Sequence, residues 1–351
     1  SFDFRYDNNL ADNKTDIDNQ ETYPGLDSYQ QNYIKNEKAD NYYFKLDYVL
    51  PLKNAKLELG HKSNFRKYQN DFFSNNLNPS AQTISSVPDF SSIITYDETI
   101  YAFYVNYSRE FDRLGFSLGL RSEQTKTTIE EKLIPEEHDN NYTDLFPKAL
   151  ITYTIKDENI FSLGFMRYID RPTIAQLNPF NSFTDERFVV VGNPYLNPYY
   201  TNYFYFEYYH EFKKLSLNSA LFYSKSTDRI LDVLEKTGGQ TSDGFDIYKR
   251  TPVNNGTLNY TGLEVEVNYN PNNKIRLYAL VSPYFTDLTD TEDQLYDNEN
   301  LVWYANGRFL YKITNTFRFY IDYIYQSEQE TAITQLKAFQ YVNLNISKDF
   351  F

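Results

Sequence analysis

Short and long gaps alternate without exception along this 351-residue chain. Aromatic segments with period-two hydrophobicity are joined by a tight turn, then a long polar stretch, then a tight turn again. The tight turns fall at Pro51–Asn54, Phe111–Arg113, Lys156–Asn159, Phe212–Lys214, Asn270–Asn273 and Thr314–Thr316. The long connections cover about 10–40, 70–97, 128–143, 171–199, 235–257, 288–299 and 327–336. Period-two segments read as strands whose two faces meet different surroundings. When such strands run antiparallel, this alternation puts every short turn at one end and every long loop at the other. An up-and-down β-barrel across an outer membrane has that asymmetry. A soluble sandwich has no reason to sort its loops this way.

Composition fits the same architecture. The chain is polar on average, yet 18% of it is aromatic, with 35 Tyr and 28 Phe. Barrel strands need apolar residues only at alternate positions, and their lumens and loops are polar. Tyrosine, with an apolar ring and a polar tip, suits the membrane interfaces. No run approaches the ~18 apolar residues of a spanning helix. No linker divides the chain, so 1–351 reads as one barrel portion. Cysteine is absent, which is neutral on compartment. The net charge of -14 argues against nucleic acid. Most acids lie in stretches such as 12–21 and 287–300 and read as solvated loop surface.

About fourteen strands can be placed: 1–9, 40–50, 55–69, 98–110, 114–127, 144–155, 159–170, 200–211, 215–227, 258–269, 274–287, 300–313, 316–326 and 337–349. Within them the faces separate. Leu118, Ile151, Leu263, Val265, Phe319, Ile321 and Leu344 are expected to face lipid. Gly119, Glu264, Glu266, Asp322 and Asn345 are expected to face the lumen. A Glu264–Glu266 pair would be costly in a dry core but costs little beside water. The β-like runs Arg187–Val191 and Ile230–Leu234 are expected to extend barrel strands above the membrane.

Two stretches are more specific. Residues 166–205 contain Arg171-Pro172, Asn178-Pro179-Phe180, Gly192-Asn193-Pro194-Tyr195-Leu196-Asn197-Pro198 and then Thr201-Asn202. Residues 252–264 run Pro252-Val253-Asn254-Asn255-Gly256 into Tyr260-Thr261-Gly262-Leu263-Glu264. Both resemble the barrel of Bacteroidota TonB-dependent receptor-like outer-membrane proteins. The resemblance implies energy-coupled uptake of a ligand through a plugged barrel of about 22 strands. It also implies a bacterial outer-membrane location, with long loops extracellular and short turns periplasmic. Implied partners are outer-membrane lipid, TonB acting through a plug that is absent from this chain, and a surface lipoprotein or other envelope proteins. A non-transporting barrel serving as a structural or assembly partner is the rival reading, and a passive porin is disfavoured by the bulky aromatic loops. By itself, the proline-rich loop cannot extend a sheet, because proline lacks the amide donor. It reads as a rigid element shaping the rim.

The chain is also expected to be a stretch of a longer protein. No signal peptide opens at Ser1. Its ending, Leu344–Phe351, reads as a terminal assembly signal or, preferably, as a family strand with successors. The first and last strands are then not paired to each other.

No enzyme signature is visible. His61, His138 and His210 lack metal spacing, and no nucleophile motif or phosphate-cradling loop occurs. No cofactor is implied. Asp287, Asp290, Asp293 and Asp297 form a weak Ca²⁺ candidate, lacking the glycine and terminal glutamate of an EF-hand.

Overall fold

The computed structural model describes residues 1–19, 29–78, 83–86, 91–133, 136–155, 159–179, 182–185, 188–240, 244–290 and 296–350. In chain order the strands are β1 (Phe2–Asn19), β2 (Tyr29–Leu52), β3 (Ala55–Asn78), β4 (Thr83–Ser86), β5 (Ser92–Glu110), β6 (Leu114–Glu131) and β7 (Glu136–Ile155). They continue with β8 (Asn159–Asp170), one helical turn α1 (Ile174–Leu177), β9 (Ser182–Asp185), β10 (Phe188–Val190), β11 (Tyr199–Glu211), β12 (Leu215–Thr227), β13 (Ile230–Gln240) and β14 (Asp246–Asn254). The last are β15 (Thr257–Asn272), β16 (Ile275–Thr289), β17 (Asn298–Lys312), β18 (Phe317–Gln326), β19 (Gln329–Glu330), β20 (Gln335–Leu336) and β21 (Phe339–Lys348).

Fourteen of these form one continuous path, β1-β2-β3-β5-β6-β7-β8-β11-β12-β15-β16-β17-β18-β21, with β4 attached to β3. Every pairing along the path is antiparallel and joins strands in sequence order, with no Greek-key crossing. Among the described residues β1 pairs only with β2, and β21 only with β18. Among the described residues the short connections lie where the sequence puts them, residues 156–158 being outside that set, and Asn54 takes a positive φ of 56° in the β2–β3 turn. Asparagine tolerates that conformation better than most residues.

Strand β6 shows why these residues form this wall. Leu114, Leu118 and Leu120 are exposed on one face, while Arg121 and the buried Glu123 and Thr125 lie on the other. The exposed apolar positions continue around the sheet in Phe103, Ile151, Leu163, Leu221 and Leu301. They form an outward apolar band, as a membrane-spanning barrel requires.

The structure corrects two expectations. The stretches 10–40, 70–97 and 128–143 are not mainly loop. The β1–β2 ladder runs to Asn19↔Tyr29, β2–β3 to Gln30↔Leu77 and β6–β7 to Glu131↔Glu136. A strand of 24 residues far exceeds the ~9–11 that cross a bilayer. Its distal part is laddered in water, where both faces can be polar and alternation disappears. Secondly, β10 and β13 do not extend barrel strands. They belong to a separate four-stranded sheet, β13-β14-β10-β9, in which β10 runs parallel to β14. The sheet joins the β8–β11 connection to the β13–β14 hairpin.

Candidate functional site

The connection from β8 to β11 folds onto the inner face of the wall. Its anchor is Arg171, whose Nη2 donates to Glu123 Oε2 (2.7 Å) and Thr125 Oγ1 (3.0 Å) and whose Nε donates to Tyr142 Oη (3.2 Å). Glu123 also accepts from Arg121 Nε at 2.6 Å. Pro172 follows. Thr173 then caps α1: its Oγ1 accepts from the Gln176 amide while the Gln176 side chain accepts from the Thr173 amide, a reciprocal capping box. Leu177 and Leu196 pack on Ile94, Tyr96 and Ile129 from β5 and β6. Leu196 is only 1% exposed.

Glycine at 192 is a steric demand. The Gly192 amide donates to Asn178 O and the Asn193 amide to Gln176 O, drawing this strand-like segment against α1. A Cβ at 192 would lie 2.2 Å from Asn178 O and 2.7 Å from Gln176 O, both backbone atoms that cannot swing aside. Beyond it, Pro194, Leu196 and Pro198 are buried, and Tyr195 and Asn197 point away. Asn193 Oδ1 accepts from the Tyr195 amide and closes the turn.

The two stretches singled out in the sequence meet here. Asn193 Nδ2 donates to Pro252 O. The Asn197 amide donates to Asn254 Oδ1 (2.7 Å), and Asn254 Nδ2 donates to Asn197 O and Asp228 O (both 2.9 Å). One asparagine thus ties three connections together. Prolines remove donors from this loop, and side-chain amides supply the links instead.

Two recesses lie between loop and wall. One, of about 370 Å³, is lined by Lys35, Glu37, Tyr68, Asn70, Phe72 and Ile174. Lys35 Nζ is 2.8 Å from Glu37, which also accepts from Tyr68 Oη. The other, of about 470 Å³, is lined by Asn64, Arg66, Glu98, Arg171 and Pro172. Both recesses set a few charged and hydroxyl groups among aromatic and aliphatic side chains beneath the flap.

Of the motif residues, Arg171, Pro172, Asn178, Pro179, Gly192, Asn193, Pro194 and Pro198 all lie in or beside this flap, and Phe180 is outside the described residues. Sequence reasoning missed the receiving surface: Glu123, Thr125 and Tyr142, and the apolar Ile94, Tyr96 and Ile129. The available signal was apolar residues on a face otherwise polar.

Gly119, Glu264, Glu266, Asp322 and Asn345 share the flap's face of the sheet by unbroken register. Gly119 stands opposite Lys148, Lys148 opposite Met166, Met166 opposite Tyr203, and Tyr203 opposite Ser224. Two and four residues from Tyr260, the partner of Ser224, come Gly262 and Glu264. Arg308 Nε donates to Asp322 at 2.7 Å, and Asn345 is opposite Tyr320. Of the four candidate aspartates, Asp290 and Asp297 meet. Asp287 accepts from Asn259, Asp297 accepts from the Asp290 amide, and Asp293 is outside the described residues. Among the described residues no three acidic or imidazole groups gather as a metal site.

Solved structures share this architecture. The unliganded ferric citrate transporter FecA aligns with TM-score 0.67 at 12% identity, covering 100% of this chain and 51% of that one. The ferric-catecholate import receptor Fiu of E. coli K12 aligns at 0.66 and 11% identity, over 100% and 55%. The ferripyoverdine receptor of the Pseudomonas aeruginosa outer membrane, bound to ferripyoverdine, aligns at 0.65 and 11%, over 100% and 48%. The chain therefore spans about half the length of these structures, and such low identity carries the fold alone. No curated protein sequence matches it significantly. A family model matches residues 1–351 in full, so with its antiparallel meander and outward apolar band the chain belongs to the outer membrane protein beta-barrel family.

Proposed function

We propose that this chain is barrel wall of an energy-coupled uptake receptor, in which long extracellular loops capture a ligand and lumenal polar residues line its route. The observation that carries the reading is the flap. A loop pinned by Arg171 and Leu196 to the inner wall narrows the outer mouth, which suits a gated receptor better than a passive pore. The likeness to barrels of ferric citrate and ferric-catecholate import proteins supports it at the level of fold. TonB, acting through a plug outside this chain, is the proposed energy source. A Bacteroidota-type envelope rests on the sequence resemblance alone. The wall is read as non-enzymatic.

The test uses cells carrying the whole gene. Deleting it should abolish accumulation of one compound from a panel of labelled metal chelates and oligosaccharides. Inactivating TonB should abolish the same accumulation. Uptake that persists without TonB would remove the energy coupling. The extracellular sheet β13-β14-β10-β9 favours the second reading, a non-transporting partner for a surface lipoprotein or other envelope protein. Intact uptake with depleted envelope proteins after deletion would select it.

A further inference from the structure

We propose that the inner rim at the short-turn end of β11–β18 binds an extended, acidic segment of a periplasmic partner protein. The turns β11–β12, β15–β16 and β17–β18 are neighbours along the sheet. They and their flanks carry Lys213, Lys214, Lys274, Arg276 and Lys312. A cavity of about 660 Å³ opens there, lined by Lys213, Lys214, Arg276, Arg308, Tyr278 and Tyr320.

The charge is unbalanced locally. Arg308 has Asp322. Among the described residues no carboxylate lies within ion-pair distance of Lys213, Lys214, Lys274, Arg276 or Lys312. The described short turns in the other half of the wall carry fewer free cations: Lys56 pairs with Glu58 at 3.1 Å and Arg113 lies 3.9 Å from Asp112, which leaves Lys53 alone at its turn tip. The rim's own carboxylates are Glu211, which accepts from Tyr209, and Asp349, which pairs with Arg318; the unpaired lysines and Arg276 outnumber them, a local reversal of sign in a chain of net charge -14. Such a patch steers and holds an anionic partner.

The chemistry narrows the partner. Arg276, Tyr278, Arg308 and Tyr320 share the inner face: Tyr278 is opposite Arg308, and Leu310 opposite Tyr320. Their neighbours Leu277, Phe309 and Tyr311 take the outward face with the apolar band. The cavity is thus turned away from the bilayer, and lipid headgroups are a poor fit. Asn270 adds a side-chain amide, which can donate to and accept from peptide groups, Asn268 donates its amide to Glu266 at 2.9 Å, and the two tyrosine rings can cover aliphatic stems. The cationic side chains stand at the turn tips, where a periplasmic protein meets them without entering the lumen.

Geometry sets the spacing. Adjacent strands lie ~4.8 Å apart, so successive hairpin turns are about 10 Å apart and three of them span roughly 20 Å. An extended peptide in the three-fold polyproline II conformation rises about 3.1 Å per residue and turns every third side chain to the same side. Acidic residues at every third position would therefore match the three turns.

The experiment uses the full-length protein, purified from outer membranes in detergent. The probe is a fluorescent, end-blocked heptapeptide with Glu at its first, fourth and seventh residues and Gly and Ser between. Saturable binding is expected at low salt, falling at least about tenfold as ionic strength rises from about 50 to about 300 mM. Lys213→Glu with Lys214→Glu should weaken binding about tenfold, whereas Lys53→Glu, on a turn of the other half, should change it less than about twofold. The same peptide with Gln for Glu should not bind, a control that stands even if a variant fails to insert. Absence of saturable binding, equal binding of the Gln peptide, or equal loss in both variants overturns the proposal. So does equally effective competition by inorganic phosphate or glycerophosphoglycerol, which would mark a general anion or headgroup site.

Discussion

Part-way along β5, β6, β15 and β16 the two faces of the wall exchange character. Near the short turns, β6 presents Leu118 and Leu120 outward and Gly119 and Arg121 inward. Nearer the long loops it presents Gln124, Lys126 and Glu130 outward and Ile129 inward. On β15 the outward sequence runs from Val265 and Leu263 to Asn259, and the inward one from Glu266 and Glu264 to Leu258. On β16 outward Leu277 and Val281 give way to Asp287, and inward Arg276 and Ser282 give way to the buried Leu288. The lower wall has hydrocarbon outside and a polar lumen inside. The upper wall has water outside and docked loops inside, in clusters around Leu196 and around Leu231, Leu258 and Leu288. Along these four strands the same period-two rule holds, but the solvent on each side changes with height.

The largest expected effect tests the upper, inward pads. Leu196→Ala empties a fully buried site and should destabilise flap docking by ~2–5 kcal/mol. Hydrogen exchange of 172–197 should accelerate while the β11–β12 ladder is unchanged. Unchanged exchange in the flap would mean the pads do not hold the loops.

A slightly smaller effect tests the inversion itself. Arginine at Leu118, Leu263 or Leu344 should cost ~2–4 kcal/mol at bilayer depth. Arginine at Gln124, on the same face but higher, should cost within about 0.5 kcal/mol, and at inner Glu264 or Asn345 far less than at Leu263. Refolding titrations into lipid would measure this, and equal cost at Leu118 and Gln124 would break the comparison.

Arg171→Ala should follow at ~1–3 kcal/mol, since Glu123 keeps Arg121 but Thr125 and Tyr142 lose a charged donor. Limited proteolysis of the flap is the readout, and Arg171→Lys should restore only part, because a single ammonium cannot reproduce the guanidinium fork.

The smallest effect lies outside the membrane, in the β13–β14 hairpin. A hydrogen bond from Lys236 holds the Asp246 carboxyl below its ordinary range, and the same bond raises Lys236. A depressed acid contributes order that is complete above its unfolded value, near about 4, and lost as pH falls through the lowered one. The raised lysine contributes order that is lost only as pH climbs past its ordinary ~10.4. Amide protection at 236–240 and 244–248, taken relative to the intrinsic exchange rate at each pH, should therefore be flat between those limits, and exchange relative to that rate should rise on the acid side. An Asp246→Asn variant that keeps the acid-side rise would discount the pair.

Much of the lower wall was legible because lipid on one side and water on the other write a strong alternation. Leu114 to Arg121 and Phe317 to Tyr325 could be assigned residue by residue. The upper parts of β1, β2 and β3 were not legible as strands, since residues such as Lys35, Glu37 and Asp40 show no apolar face. The runs at 187–191 and 230–234 were visible as β-like, but their partners were not. A strand's sequence carries no label for the non-neighbouring segment that supplies its ladder.

The motif stretches divide in the same way. Sequence alone determined that 171–198 is a proline-rich connection that interrupts the barrel strands and that Gly192 and Asn193 mark a turn, because proline and glycine act on local backbone torsions. Alternation likewise pointed to about fourteen strands, and the short turns left the hairpins they join no other place to pair. Tertiary structure alone decided that the connection turns inward, that Arg171 finds Glu123 some 48 residues away, and that Asn254 ties Asn197 to Asp228. Those contacts depend on how far the wall curves and where its height puts Ile94 and Ile129, quantities set by the whole sheet and written in no single segment.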